Sequence, residues 1–404
     1  MATDTPAAPR APIGLGAILG LSLAVVVALG FARFAYALLL PAMRADLGWS
    51  YAAAGALNTA NAAGHLVGAL IAASVAARAG AHRTFVGGLV VTSLALLACG
   101  ATDDFVVLLA LRALAGVAGA LSFVIGAVLA SQAGAGASRH RQALFIAVYF
   151  GGGGSGTAAS GVLVPALLAL GGWRAGWIGL GVLACLSVPF AWRAARRIAA
   201  APAAPRARGA PRGVSLRATF VVYLLFGAGY IAYMTFIIAF LRGRATDGAT
   251  VAWFWVALGL ASLGAGFLWG RAFARLPGGW PQAAVLILNA LGAALPLVGT
   301  SLPLLFASAL TFGASVMAMP SAVAAFVRKS QPEAAWTVLI GRLTVVFGLG
   351  QCLGPLASGY LSDGPLGIRG GLLLSAAVLL VAALVAVFQP EPHERPAAMA
   401  AQRS

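Results

Sequence analysis

Apolar stretches long enough to cross a bilayer recur along the whole chain, and nothing constrains its fold more. A helix needs about 20 apolar residues to span the hydrocarbon core. Runs bounded by charges, glycine and proline occupy 13–40, 51–76, 84–101, 105–130, 142–170, 175–192, 218–241, 250–270, 281–299, 303–327, 334–361 and 369–388, twelve in all. Most are apolar around the full helix circumference, as membrane spans are and amphipathic surface helices are not. Only 9% of the 404 residues are charged and 61% are hydrophobic, against roughly 25% charged in a soluble domain. Most of the surface must therefore face something other than water. The first run begins after Met1–Pro12. It is too long for a signal-peptide core and no cleavage site follows, so it reads as an uncleaved span. The expected fold class is an all-α membrane protein of twelve transmembrane helices.

The charge is +17, from 26 basic against 9 acidic residues. Such an excess invites a nucleic-acid reading, but the positions of the charges give another. With the N-terminus inside, Arg10, Arg78, Arg83, Arg139, Arg141, Arg193, Arg196, Arg197, Arg206, Arg208, Arg212, Arg217, Arg271, Arg275, Arg328, Lys329, Arg395 and Arg403 face inward. Only Arg44, Arg174, Arg242, Arg244 and Arg369 face outward. That ratio of 18 to 5 selects both termini inside, by the rule that cytoplasmic loops carry the positive charge. The longest loop, 193–217, is basic, holds Pro202, Pro205 and Pro211, and has no acid. It reads as a solvated linker over an anionic inner leaflet. It divides a six-helix bundle at 1–192 from a second at 218–404 with a short cytoplasmic tail.

The two halves repeat. Gly30-Phe31-Ala32-Arg33-Phe34-Ala35-Tyr36 aligns with Gly227-Ala228-Gly229-Tyr230-Ile231-Ala232-Tyr233 at an offset of 197, Ala77-Arg78 with Ala274-Arg275, and Gly116 with Gly313. Gly156-Thr157-Ala158-Ala159-Ser160-Gly161 aligns with Gly354-Pro355-Leu356-Ala357-Ser358-Gly359 at 198. Two parallel six-helix halves about a central site make the architecture of a rocking secondary transporter.

These features resemble the major facilitator superfamily across nearly all of 13–389. The loop Ala73-x-x-x-Ala77-Arg78-x-Gly80-Ala81-His82-Arg83 is similar to that superfamily's Gly-x-x-x-Asp-Arg-x-Gly-Arg-Arg signature, with Ala77 in place of the acid. The resemblance assigns that acid to an inner latch between the halves, and its second-half copy, Gly270-x-x-x-Ala274-Arg275, lacks it too. Arg112-x-x-x-Gly116-x-x-Gly119-Ala120 is similar to the Arg-x-x-Gln-Gly-x-Gly signature, which implies a part in proton coupling. In the fifth span the antiporter Gly-Pro dipeptide is absent; a comparable Gly350-x-x-x-Gly354-Pro355-x-x-Ser358-Gly359 lies in the eleventh. Within the superfamily, Gly30-Phe31-Ala32-Arg33-Phe34-Ala35-Tyr36-x-x-x-x-Pro41-x-Met43, with Gly229-Tyr230-Ile231 and Thr235-Phe236, resembles the YbfB/YjiJ-type branch of bacterial transporters.

The candidate site follows from what is polar inside the spans. Every acid, Asp4, Asp46, Asp103, Asp104, Asp247, Glu333, Asp363, Glu391 and Glu394, falls in a loop or tail. The ionisable groups left in the membrane are Arg33, Arg112, Arg342 and His65. A buried arginine costs roughly 2.5–3.5 kcal/mol on insertion scales, and no carboxylate is at hand to offset it. Arg33 precedes Pro41 by eight residues, about 12 Å at 1.5 Å per residue. Arg112 lies about 10 Å deep on a helix running the other way. Both spans line the cavity in the resembled fold, and two guanidiniums there suit a carboxylate gripped bidentately. The bland alternative is that each snorkels or caps carbonyls. Asn58, Asn61 and His65 share one stripe of their helix, which serves either hydrogen bonding between helices or, at His65, proton carriage. Tyr230 occupies the repeat position of Arg33, and Tyr233 that of Tyr36. The expected substrate-binding residues are Arg33, Tyr36, Asn61, Arg112, Tyr230 and Tyr233, and the proton-coupling residues His65 and Arg112.

Gly151-Gly152-Gly153-Gly154-Ser155-Gly156 lacks the lysine of a phosphate loop and reads as a site of close helix approach. Cys99, Cys185 and Cys352 show no metal or disulfide spacing, and no metal or cofactor is expected. The chain is not expected to be an enzyme: no paired acids, nucleophile–base spacing or cofactor loop is visible. The expected function is alternating-access transport of a small organic anion, with drug or metabolite efflux as the rival. The expected setting is the bacterial inner membrane, as a monomer with lipid, substrate and protons as partners and no nucleic acid.

Overall fold

The computed structural model describes residues 13–134, 137–198 and 214–391. Within these residues the chain is helical and has no strand, the outcome hydrocarbon demands, because a helix satisfies its own backbone groups where no water can. In chain order the elements are α1 (Leu15–Val25), a wide π-helical segment (Val26–Phe34), α2 (Tyr36–Leu47), α3 (Tyr51–Ala79), α4 (Ala81–Cys99), α5 (Phe105–Ala133), α6 (Arg139–Arg196), α7 (Arg217–Gly243), α8 (Gly248–Arg275), α9 (Trp280–Val298), α10 (Leu302–Val316), α11 (Ala318–Ser330), α12 (Glu333–Ser362) and α13 (Gly367–Val387). Among the described residues, eleven helical stretches are long and apolar enough to cross a membrane. Leu70, Val106, Val162, Leu186, Leu268 and Leu384 stand exposed on their outer faces, a surface that water would not tolerate on this scale.

The count of eleven hides a reversal. α6 is 58 residues long, about 87 Å if straight, nearly three times the hydrocarbon thickness. Gly171 (φ −173°, ψ 36°) and Gly172 (φ 63°, ψ −159°) leave the helical region, and Gly172 takes a positive φ that glycine adopts without a Cβ penalty. The arms on either side fold against each other: a Cβ placed on Gly179 would lie 2.4 Å from Leu167 Cδ2. The expected spans 142–170 and 175–192 are these two arms.

Two expected boundaries move, and one expected interior residue does not lie inside. The first span does not end before Pro41: α2 continues through it to Leu47, where Gly48 (φ 64°) terminates the helix. Arg33 therefore lies about 21 Å from that end rather than 12 Å, close to the middle of the stretch Leu15–Leu47. The linker does not start at 193, because α6 carries Arg193 and Arg196 in its last turn. Its core, with Pro202, Pro205 and Pro211, lies outside the described residues, as do Arg10, Asp4, Glu394, Arg395 and Arg403. Arg342 is exposed on α12 and joins no interior site.

Glycine sets the packing, and the repeat is visible in it. A Cβ on Gly116 would meet the carbonyl oxygen of Asn61 at 2.2 Å, and one on Gly313 that of Leu258 at 2.4 Å. Asn61 and Leu258 are themselves 197 positions apart, so one helix crossing occurs twice. The glycine run behaves as expected. Gly152 packs on the Ser22 carbonyl (2.5 Å), Gly154 on that of Gly259 (2.7 Å) and Gly156 on that of Val26 (2.8 Å), so α6 is pressed between α1 and α8. The two halves of the sequence meet along α3–α12, α6–α8 and α2–α7.

Candidate functional site

The wide turn of the first span builds the site. From Val26 to Phe34 the backbone runs as a π-helix, closed by Ala35 N–H donating to the Gly30 carbonyl five residues back (2.8 Å). Such segments interrupt α-helices frequently at functional sites. Gly30 lies against Gly156, where a Cβ would come within 2.5 Å of its Cα. The bulge carries Arg33, which is 4% exposed.

The Arg33 guanidinium is poorly satisfied. Its Nε and Nη2 are buried without a hydrogen-bond partner. These two atoms form the side-on fork that a carboxylate grips with two parallel bonds. The Arg33 charge acts electrostatically on His65, Arg112, Tyr230 and Cys352. These four groups lie on α3, α5, α7 and α12.

Arg112 has a fuller environment. It is completely buried, with its guanidinium carbon 5.0 Å from the Tyr36 ring centre and 5.1 Å from that of Trp177. These two rings stack on each other at 6.3 Å. Cation–π attraction of this kind strengthens when water is excluded. Nη1 donates to the Ala32 carbonyl, inside the π-helical turn. Nε and Nη2 are again unpartnered. Arg112 therefore pins the turn that presents Arg33. Asn61 Nδ2 donates to the Arg112 carbonyl (3.1 Å), and the Tyr36 hydroxyl donates to the Ala54 carbonyl (2.8 Å).

Across the seam the polar groups are paired. The Tyr230 hydroxyl accepts from Gln351 Nε2 on α12. Tyr223, Phe226 and Tyr230 lie on one side of α7 with nearly parallel rings around Phe347, at centroid distances of 4.7, 5.6 and 5.8 Å. Tyr233 shares a hydrogen bond with Ser308 (2.6 Å) and packs on Phe312 (4.2 Å), so it points into the α7–α10 contact. His65 is half-buried, with its ring 5.7 Å from that of Phe123.

The structure thus gathers Arg33, Arg112, Asn61, Tyr36 and His65 on one side and Tyr230 opposite, while Tyr233 turns away toward Ser308. Sequence reasoning did not pick out Gln351 or Trp177. A lone glutamine within an apolar span was the available signal for the first; Trp177 looks like any other core aromatic. No acid joins the site. Among the described residues the acids sit at helix ends or beyond. Asp104 and Asp247 cap α5 and α8, and hydrogen bonds from Thr250 hold the Asp247 carboxyl below its usual range. Asp46 accepts from the Trp173 indole (2.7 Å), and Asp103 pairs with Arg174 at 3.2 Å. No cluster of three metal-ligating side chains occurs among the described residues.

Residues 25–387 match the family model described as uncharacterised MFS-type transporter YbfB, and the chain belongs to that family. It is 30% identical to the chloramphenicol resistance protein of Streptomyces lividans over 388 residues, 89% of this chain and 93% of that protein. The fold is that of a bacterial homologue of the human lysosomal transporter Spinster, in an inward-facing and occupied conformation (TM-score 0.69, 16% identity, 94% of this chain and 97% of that one). It is also that of the nucleoside transporter NupG (TM-score 0.68, 15% identity, 91% and 97%). The protein is a multi-pass membrane transporter of the major facilitator type.

Proposed function

We propose that the protein moves a small organic anion across the bacterial inner membrane by alternating access, with the substrate carboxylate on Arg33. The observation that carries this reading is the buried, unpartnered Nε–Nη2 fork of Arg33 in spans whose acids sit only at their ends. A buried cation is costly until an anion meets it, so the site favours a ligand that brings the missing charge. Arg112 holds the turn beneath Arg33 and adds to the positive field. Asn61 and Tyr36 fix that scaffold, and Tyr230 borders the opposite side, while Tyr233 supports it from behind through Ser308. The working unit is a monomer of twelve crossings, counting the arms of α6 separately, with both termini inside. Two bundles, the first ending with α6 at Arg196 and the second beginning with α7 at Arg217, rock about the site, joined by the linker between them. Proton coupling runs through His65 and Arg112, and abolishing an imposed pH gradient then stops concentrative uptake in vesicles.

A second reading has its own support. The relative from Streptomyces lividans is named for chloramphenicol resistance, which points to export of an uncharged aromatic drug. A thermal-shift screen of the purified protein separates the two. Carboxylates stabilise the wild type and lose that effect in Arg33→Ala under the first reading. Stabilisation by chloramphenicol but not by carboxylates, undiminished in Arg33→Ala, sinks it in favour of the second.

A further inference from the structure

At one end of the molecule the first half of the chain is tied to the second by a single carboxylate. A helix begins with N–H groups that have no partner within the helix. At the start of α3, Ser50 Oγ accepts from Ala53 N (3.1 Å), and the Ser50 carbonyl from Ala54 N (3.1 Å). The first two N–H groups are met from across the seam. Asp363, at the C-cap of α12, accepts from Tyr51 N with Oδ1 (2.7 Å) and from Ala52 N with Oδ2 (2.9 Å). A carboxylate at a helix N-terminus also gains from the positive end of the helix dipole.

The contacts below Asp363 form a closed seam. A Cβ on Gly359 would lie 2.5 Å from the Tyr51 carbonyl oxygen, and one on Gly55 2.3 Å from that of Pro355. Thr59 donates to the Cys352 carbonyl (2.8 Å), and Asn58 to Thr235 Oγ1 (2.5 Å). Tyr51 meets Phe236 edge-on at 6.0 Å, and Arg44 covers the other part of its ring at 3.8 Å. These approaches continue down to Leu66, which packs on Gly348. Beyond it Val67, Leu70 and Ile71 are exposed. Asp363 is the carboxylate of this seam, and its bonds to α3 exist only while the two helix ends touch.

We infer that Asp363 is the outer latch of the transport cycle: it caps α3 in the inward-open state and releases it when the outer seam parts. The inference rests on the proposed orientation, with both termini inside. It also gives a counterpart to the inner loop, where Ala77 and Ala274 leave no carboxylate to do the same.

The test uses whole cells expressing the full chain with Cys99, Cys185 and Cys352 replaced by serine. Ala54, fully buried just below the latch, becomes the reporter in Ala54→Cys, labelled by a membrane-impermeant maleimide. Losing a helix N-cap typically shifts an equilibrium about fivefold, so Asp363→Ala raises the labelling rate about fivefold. Asp363→Asn, which retains one acceptor, falls between and covers the case where the alanine variant does not fold. Equal rates in all three, with melting temperatures alone changed, overturn the latch and leave Asp363 a local cap. Orientation is read separately from Asp103→Cys. Asp103 adjoins Phe105, whose ring packs on Trp49 at 5.4 Å, so it marks the same end. Labelling of that variant in intact cells supports the orientation, and labelling only after permeabilisation overturns the outer assignment.

Discussion

The first and seventh spans are repeat mates, and they differ in a way that locates the chemistry. Their backbones make matching crossings: Gly156 presses on Val26 and Gly30, and Gly354 on Ala228, where a Cβ would lie 2.2 Å from the carbonyl oxygen. Their side chains do not match. Arg33 is a buried cation with an open fork, while Tyr230 at the same repeat position is a neutral hydroxyl already bonded by Gln351. Tyr36 bonds a carbonyl of α3 beneath the Arg112 guanidinium, whereas its mate Tyr233 bonds Ser308. Close packing constrains the small residues in both copies, so the crossings recur, although the first span carries the π-helical turn Val26–Phe34 where α7 is α-helical. A ligand that is charged at one end needs a cation on one side only, so the site is free to diverge.

The strongest way to break this comparison is to change the fork and keep the charge. Arg33→Lys retains a cation but presents a point charge in place of two parallel N–H groups. Hydrogen bonds to charged groups are worth about 1.5–3 kcal/mol. Losing one bond of the pair should weaken carboxylate binding by about ten- to a hundredfold, read by thermal-shift or calorimetric titration. Undiminished affinity in Arg33→Lys means that the fork is not the binding element.

The fold was largely legible because hydrocarbon leaves few choices. Apolar length alone gave the spans, including the two arms of α6 that lie back to back across Gly171 and Gly172. The glycine run and the offset of 197 anticipated the repeated crossings. The residues proposed for the site stood out as charged or polar groups in apolar sequence, at Arg33, Arg112, Asn61 and His65, or through the repeat, at Tyr36 and Tyr230. The π-helical turn left no mark, since an apolar run reads the same in either helix. Pro41 misled, because it reads as a boundary although the helix passes through it. Asp363 looked like one more loop acid: nothing in its neighbours tells that α3 starts beside it.

A middle-sized effect is expected at Arg112, of a different kind. Its guanidinium lies beside the stacked Tyr36–Trp177 pair and bonds the Ala32 carbonyl. Arg112→Met keeps much of the volume but removes the donor, stranding a buried acceptor at about 1–3 kcal/mol. The expected outcome is a lower melting temperature even without ligand, together with weaker binding as the Arg33 turn loosens. Loss of binding with an unchanged melting temperature would move Arg112 from the scaffold into direct contact with the substrate.

The smallest effect belongs to the other side of the comparison. Tyr230→Phe removes one hydroxyl and leaves the ring stacked beside Phe226 and Phe347. The Gln351 amide loses its acceptor, a net cost of about 0.5–1.5 kcal/mol for one neutral hydrogen bond. If Tyr230 only borders the substrate, Tyr230→Phe and Gln351→Leu should each lower affinity by less than about tenfold, and the double variant by no more than either alone, since both break one bond. The cycle is read with the same titration as Arg33→Lys. An effect in Tyr230→Phe as large as that of Arg33→Lys would show that the hydroxyl itself meets the ligand, and the asymmetry between the first and seventh spans would then be one of charge and no longer one of binding.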